Sequence, residues 1–360
     1  MFANLCTIEY NAGYWNNGVL NLKELTLDEK IDFFTEFNTY IKSSVPISTS
    51  LTNILKFSSN PKIKEISSKI LKNVDKSKNF SESILNFKNA LGSAYCGLLS
   101  AGFEAGKLQN ITSEILNLLK KQRTLRRKII KSGIYPFFIF IFIVIFVIAL
   151  FTIIVPKVAM QAEIMRGDLP LSLKILNIIS KIITKGWIIL IPLIIILINF
   201  SIKSLKKSFN SESGINNIIY GKIVKMYNIS MFTKVLAVSY SAGIPAVSAY
   251  ILASKIVENS FMKNKLINSS ALLGEKKISD ALFETGLFTG QMISKIASGE
   301  ETGNVDDMLN EISSDTDENM DTIIASSIQI MQPLLILVLG FIVIIIGYII
   351  LGPANPLNYL

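Results

Sequence analysis

Apolar positions in this chain are gathered into three long uncharged windows, separated by segments in which apolar and polar residues alternate at helical spacing. No residue from Ser132 to Pro156 is charged, and the run from Pro136 to Val155 is long enough to cross about 30 Å of hydrocarbon as a helix. The second window, Gly186 to Ile202, is short for a span, and Ile182 and Ile183 extend it if Lys185 snorkels. Nothing from Thr322 to Leu360 is charged, and the densest apolar part runs from Leu334 to Leu351. Three transmembrane helices are predicted, at 134–155, 186–202 and 332–352.

The segments between them read as helical. Thr26-Leu27-Asp28-Glu29 is a capping-box start, after which Ile31, Phe34, Phe37, Tyr40 and Ile41 fall on one face. Asn60-Pro61 is a second start, followed by Ile63, Ile66, Ile70 and Val74 at three- and four-residue steps. A long helix then carries Leu108, Ile111, Ile115, Leu118, Leu119 and Leu125 towards the first window. Strand-like alternation is nowhere sustained, so the fold class is all-α.

The helical segments repeat. Phe33 through Pro46 matches Phe232 through Pro245, with Ser43-Ser44-Val45-Pro46 against Ala242-Gly243-Ile244-Pro245. Phe80-Ser81-Glu82-Ser83-Ile84 matches Ile278-Ser279-Asp280-Ala281-Leu282. Ser100 through Leu108 matches Ala297 through Val305, bringing Gly102, Glu104 and Gly106 opposite Gly299, Glu301 and Gly303, with Phe103 opposite Glu300. A separation that stays near-constant across three matches argues for two copies of one helical bundle, each followed by a membrane span.

Composition fits this picture. Of 360 residues 50% are apolar and only 18% charged, against about 25% in average soluble domains, and the mean hydropathy is +0.46. The chain has no histidine, which removes Ser-His-Asp, Cys-His and His-metal chemistry. Cys6 and Cys96 form neither a C-x-x-C motif nor a disulfide framework, and read as thiols in a reducing compartment. No basic n-region or apolar h-region marks Met1–Leu22 as a signal peptide.

Lys120, Lys121, Arg123, Arg126, Arg127, Lys128 and Lys131 precede the first span, and Lys203, Lys206 and Lys207 follow the second. The loop between the spans is sparser in basic residues, so the dense side belongs in the cytoplasm. The expected order is a short N-terminal segment (1–24), a first cytoplasmic bundle (25–133), span 1 (134–155) and an extracytoplasmic loop (156–185). Span 2 (186–202), a second cytoplasmic bundle (203–331), span 3 (332–352) and an extracytoplasmic tail (353–360) follow. Of the net charge of +9, residues 1–133 carry +8, the loop +3 and residues 203–331 −2. The basic collar before span 1 faces anionic lipid headgroups, and without aromatic interleaving it is not a nucleic-acid site.

The duplicated order, with spans in these places, resembles the type II secretion system F-domain family, the inner-membrane platform proteins of type II secretion, type IV pilus and competence pseudopilus machines. The resemblance covers roughly residues 27–358. It is carried by an aromatic residue separated by twelve residues from Pro46 and from Pro245, by the Ser-Gly-Glu-x-x-Gly pattern, and by Pro136 and Pro156 bounding the first span. Asp168-Leu169-Pro170 in the loop and Pro333 opening the third span add to it. Phe103 and Gln332 depart from the family pattern, where acidic residues are usual, and the segment before Leu25 is short for the family.

The candidate site residues are the family-motif positions, structural or partner-contacting. In the first copy they are Pro46, Gly102, Glu104 and Gly106; in the second, Gly243, Pro245, Gly299, Glu300 and Gly303; at the spans, Pro136, Pro156 and Pro333. Gly102 and Gly299 are expected to be left-handed residues stopping one helix, with Gly106 and Gly303 beginning the next and Asp306 and Asp307 in its first turn. Glu300 and Glu301 are open to three readings: a cation, a basic partner or a neighbouring helix end. Gly102-x-x-x-Gly106-Lys107 is one residue short of a phosphate loop, lacks the Mg-binding hydroxyl and follows no strand, so ATP binding is rejected. No catalytic, cofactor or metal residue is assigned, and no charge lies in the apolar cores where an ion pathway would need one.

The resemblance implies a non-enzymatic platform that meets a hexameric assembly or secretion ATPase, pilin or pseudopilin subunits and other inner-membrane assembly proteins, and that homo-oligomerises. The charge split adds the expectation that the acidic second bundle and the basic first one contact each other or separate partners. A transport subunit and a membrane-anchored adaptor are the alternative classes.

Overall fold

Helix α1, Leu27–Lys42, begins where the capping box places it. Glu29 N donates to Thr26 Oγ1 (3.3 Å), and Thr26 N donates to Glu29 Oε2 (2.8 Å). Its buried face carries Ile31, Phe34, Phe37 and Ile41, with Phe33 stacked on Phe37. Helices α2 (Ile47–Phe57) and α3 (Pro61–Ser77) follow, the latter capped by Asn60 Oδ1, which accepts from Lys62 N (2.9 Å). Short helices α4 (Phe80–Leu85) and α5 (Lys88–Leu91) lead into α6 (Ser93–Glu104) and the long α7 (Leu108–Ala149).

A π turn, Leu150–Ile154, links α7 to α8 (Val155–Arg166), and a short helix α9 covers 174–182. The second series is α10 (Tyr220–Ser241), α11 (Ala246–Ile256) and α12 (Ser260–Ser269). A 3-10 turn, Ser270–Gly274, then leads to α13 (Ile278–Thr285), α14 (Gly290–Thr302) and the long α15 (Val305–Leu351). This computed structural model describes residues 24–77, 79–166, 174–182 and 220–351, and all regular elements among them are helical. Cys6, the second predicted span at 186–202, Asp168-Leu169-Pro170 and the tail at 353–360 lie outside the described residues.

The described residues fall into two compact units, one formed by the chain up to Arg126 with Gly221–Met320, the other by the chain from Arg127 with Asp321–Leu351. In the first unit the two helical segments, separate bundles in the sequence reading, share one hydrophobic core: Phe33, Phe34 and Phe37 belong to the same buried cluster as Phe232, Val235 and Leu236. Helix α6 packs on α11 so closely that a Cβ on Gly97 would collide with Leu252 Cδ2. The buried Cys96 is free, and burial pushes its thiol up to about 12, which keeps it unreactive.

In the second unit, one stretch among the described residues is long and apolar enough to cross a membrane, Ile141–Gln161; Pro333–Ile344 is a shorter apolar segment. Helical structure continues through Pro156, which the sequence reading placed at the start of the loop, and the π turn shows how. Val155 N bonds to Leu150 O in the wide i→i+5 pattern, so the matching donor for Phe151 O would be Pro156, which has no N–H. Ser180 Oγ on α9 donates to that carbonyl instead (2.5 Å).

The Glu29 carboxyl is held down from the ordinary 4.5 to about 2, chiefly by the Lys62 ammonium at 2.7 Å and then by Thr26 N. A carboxylate lowered in the folded chain contributes stability above its unfolded pKa and loses it as the pH falls. Resistance of the protein to thermal unfolding is therefore expected to fall between about pH 4.5 and pH 2. Thr26→Ala should cost about 1 kcal/mol at pH 7, and Glu29→Gln should flatten the acid limb; an unchanged limb would contradict the assignment.

Candidate functional site: the duplicated helix ends

Each copy of the repeat turns its chain at two helix ends, and these hold most of the sequence-predicted residues. At the first turn, α1 closes on Ser44 in left-handed conformation (φ 57°) and α10 on Gly243 (φ 78°). The hydrogen bonds superimpose: Ser44 N donates to Ile41 O and Val45 N to Tyr40 O, as Gly243 N does to Tyr240 O and Ile244 N to Ser239 O. Pro46 and Pro245 then open α2 and α11, their carbonyls accepting from Ser50 N (2.8 Å) and Ala249 N (2.9 Å). A proline fits here because its fixed φ suits a helix entry and no amide partner is needed.

At the second turn the glycines exchange the roles expected of them. Gly102 and Gly299 lie within α6 and α14, and it is Gly106 (φ 68°) and Gly303 (φ 79°) that are left-handed. The helices run one turn further than the pattern suggested. The left-handed residue lets Lys107 N reach back to Gly102 O (2.8 Å) and Asn304 N to Gly299 O (2.9 Å), closing the last carbonyls. Gly102 and Gly299 are needed for room: a Cβ on Gly102 would lie 2.9 Å from Ile111 Cβ, and one on Gly299 3.1 Å from both Asn304 O and Val305 Cα. Asp306 and Asp307 do occupy the first turn of α15.

The carboxylates serve helix ends as well. Helix α13 starts after Lys277, which supplies no side-chain cap, and the half-buried Glu300 takes over. Its Oε1 accepts from Ile278 N (2.6 Å) while Oε2 accepts from Ser279 N (3.2 Å) and Ser279 Oγ (2.5 Å). Of the three readings left open for Glu300, this arrangement is the neighbouring helix end. In the first copy Asn79 caps α4 locally, accepting from Ser81 N (2.9 Å), and the corresponding carboxylate position is Phe103, packed edge-on against Phe80. Glu104 accepts from Ser81 Oγ in its place (2.5 Å). The departure at Phe103 is thus compensated by a local cap and the adjacent carboxylate.

Lys107, the lysine of the rejected phosphate pattern, donates from Nζ to Ser241 O (2.9 Å) and so closes the end of α10 in the other copy. Glu311 and Asp315 are both bound by Lys295 Nζ (2.7 Å each), leaving Asp307 exposed nearby. Pro136 lies inside α7, Pro156 follows the π turn, and Pro333 sits on an exposed position inside α15. These three prolines belong to the second unit, the helix-end turns to the first. Lys107, Ser81 and the polar contacts of Lys121 gave no local sequence signal, because their side-chain partners lie 19 to 196 residues away.

This duplicated arrangement coincides with a known one. The sequence profile of the family described as type II secretion system (T2SS), protein F, matches twice, over residues 33–156 and 232–353. The chain belongs to the type II secretion system protein F family. The two matched stretches begin at Phe33 and Phe232, the aromatic residues that open the repeat. Among individual relatives, the chain is 25% identical over 344 residues to the type IV pilus assembly protein PilC of Thermus thermophilus, covering 93% of this chain and 82% of the relative. It is 24% identical to PilC of Pseudomonas aeruginosa (86% and 85% covered) and 23% identical to the type II secretion system protein F of Vibrio cholerae (89% and 80% covered).

The two copies should differ in their dependence on a carboxylate. Glu300→Gln removes the charge that caps α13 and is expected to destabilise by about 1–3 kcal/mol, whereas Glu104→Gln, beside a locally capped helix, should cost less than about 1 kcal/mol. Thermal unfolding of the two variants side by side checks this; equal losses would refute the capping asymmetry.

Proposed function

We propose that this chain is the inner-membrane platform of a type IV pilus, type II secretion or competence pseudopilus machine, and that it couples a cytoplasmic assembly ATPase to polymerisation of pilin-like subunits. The observation that carries the reading is the double family match spanning both copies of the repeat. Relatives aligned over most of their own length bear type IV pilus assembly and type II secretion names, which supports the same class of role. The work is mechanical: residues that bear chemistry elsewhere, such as Glu300 and Lys107, here close helix ends.

The finer reading keeps three spans, a cytoplasmic N-terminus and an extracytoplasmic C-terminus. It is supported by the apolar stretch Ile141–Gln161 and by the exposed apolar side chains Phe138, Phe142, Leu334, Leu337 and Phe341, which water would disfavour and lipid would not. Arg127 and Lys131 are exposed on α7 just before that stretch and suit anionic headgroups. In this reading the platform is a homo-oligomer contacting the ATPase, pilin-like subunits and other inner-membrane assembly proteins.

Deletion of the gene, followed by imaging of surface filaments and assays of DNA uptake and protein secretion, is expected to abolish at least one of the three. Retention of all three would overturn the reading. Reversing the charges of Asp306, Asp307 and Glu311 together is expected to reduce co-purification of the ATPase; undiminished recovery would remove this acidic start of α15 from the docking surface.

A further inference from the structure

Among the described residues, three helices join the first compact unit to the rest of the chain: α7 leaves it, α10 enters it and α15 leaves it again. A single polar cluster touches all three. Lys121 Nζ on α7 pairs with Asp317 Oδ2 on α15 (2.5 Å) and donates to Ser230 Oγ on α10 (3.0 Å) and to Ser313 Oγ on α15 (3.0 Å). Ser230 Oγ donates to Asp317 Oδ1 (2.6 Å), and Ser313 Oγ donates to Ser230 O (3.1 Å). All three ammonium protons and both hydroxyl protons have acceptors, so the cluster is closed. The side chains of Lys121 and Asp317 are only 24% and 23% exposed.

The repeat supplies its own control. At the separations read from the repeat, Ser230 corresponds to Ile31, Ser313 to Leu116 and Asp317 to Lys120. Ile31 and Leu116 are buried, so the two serine positions are apolar in the other copy, while Lys120 there is exposed and the buried serine–ion-pair cluster has no counterpart. An ion pair taken largely out of water adds little over well-packed apolar residues, and its stronger effect is to specify which groups meet and in what register. A second pair on the same two helices, Lys128 Nζ to Asp321 Oδ2 at 2.7 Å, lies in the other unit and acts in the same sense.

Resting on the platform reading above, we propose that Lys121, Ser230, Ser313 and Asp317 are positioning residues. They lock the axial register of the three connecting helices, so that displacement of the cytoplasmic unit reaches the membrane segments. Each acts by preventing α7, α10 and α15 from sliding independently, which packing of smooth apolar side chains permits more readily than a closed, directional network does.

The test uses the full-length protein in its own membrane. Lys121→Met and Asp317→Asn are each expected to lower filament or secretion output by about tenfold or more, in the range by which coupling residues act. Membrane insertion and ATPase co-purification should stay at wild-type levels. The reciprocal exchange, Lys121→Asp with Asp317→Lys, should recover much of the output. The pair Lys121→Leu with Asp317→Leu, which replaces the ion pair by apolar side chains of similar size, provides a folded comparison if the single variants fail to accumulate. Loss of output in this folded protein supports the lock. Wild-type output from it, or an exchange no better than the single variants, overturns the proposal. Gene deletion without effect on filaments, uptake and secretion would instead sink the platform reading.

Discussion

A helix that ends against another helix leaves backbone amides and carbonyls with no intrahelical partner, and each must be met by something other than water. Most of this protein's recurring residues answer that requirement. Left-handed Ser44, Gly106, Gly243 and Gly303 turn the chain so that the last carbonyls are closed by the next amides. Thr26, Asn60, Asn79, Asn259 and Thr289 satisfy helix starts from within their own segment. Where the local residue cannot do so, as at Lys277, a distant carboxylate reaches in. The shared core forms around these ends because only a chain that reverses within a few residues brings α1, α6, α7 and their counterparts into one cluster.

The repeat is conserved in backbone and relaxed in side chains, and the two copies show how far the relaxation goes. The turn before Pro46 and Pro245 has the same hydrogen bonds with serine in one copy and glycine in the other. The start of α4 and the start of α13 are satisfied by different groups, a local asparagine and a remote glutamate. Lys107 of one copy closes a helix of the other, so the copies are coupled through backbone chemistry as well as through apolar packing. Of the two alternatives for the basic first segment and the acidic second one, contact with each other or with separate partners, the pair of Lys121 and Asp317 is an instance of the first.

Much of this was legible in sequence because the governing interactions are local. Helix starts at Thr26 and Asn60, the apolar faces of α1, α3 and α7, and the acidic first turn of α15 all depend on residues within four positions of one another. Left-handed geometry was assigned to the wrong glycine of each pair, since a Gly-x-x-x-Gly spacing shows that two positions need special treatment but not which needs a positive φ and which needs space.

Sequence alone determined the all-helical class, the duplication, the place of the apolar windows and the family, because periodicity and recurrence are properties of the chain in one dimension. Only the tertiary structure decided that the two helical segments share one core, that Glu300 caps a helix beginning 22 residues before it, and that Lys121 lies among Ser230, Ser313 and Asp317. Those outcomes depend on which helix faces which, and the partners of a half-buried charge are set by the packing that excludes water around it, not by its neighbours in sequence.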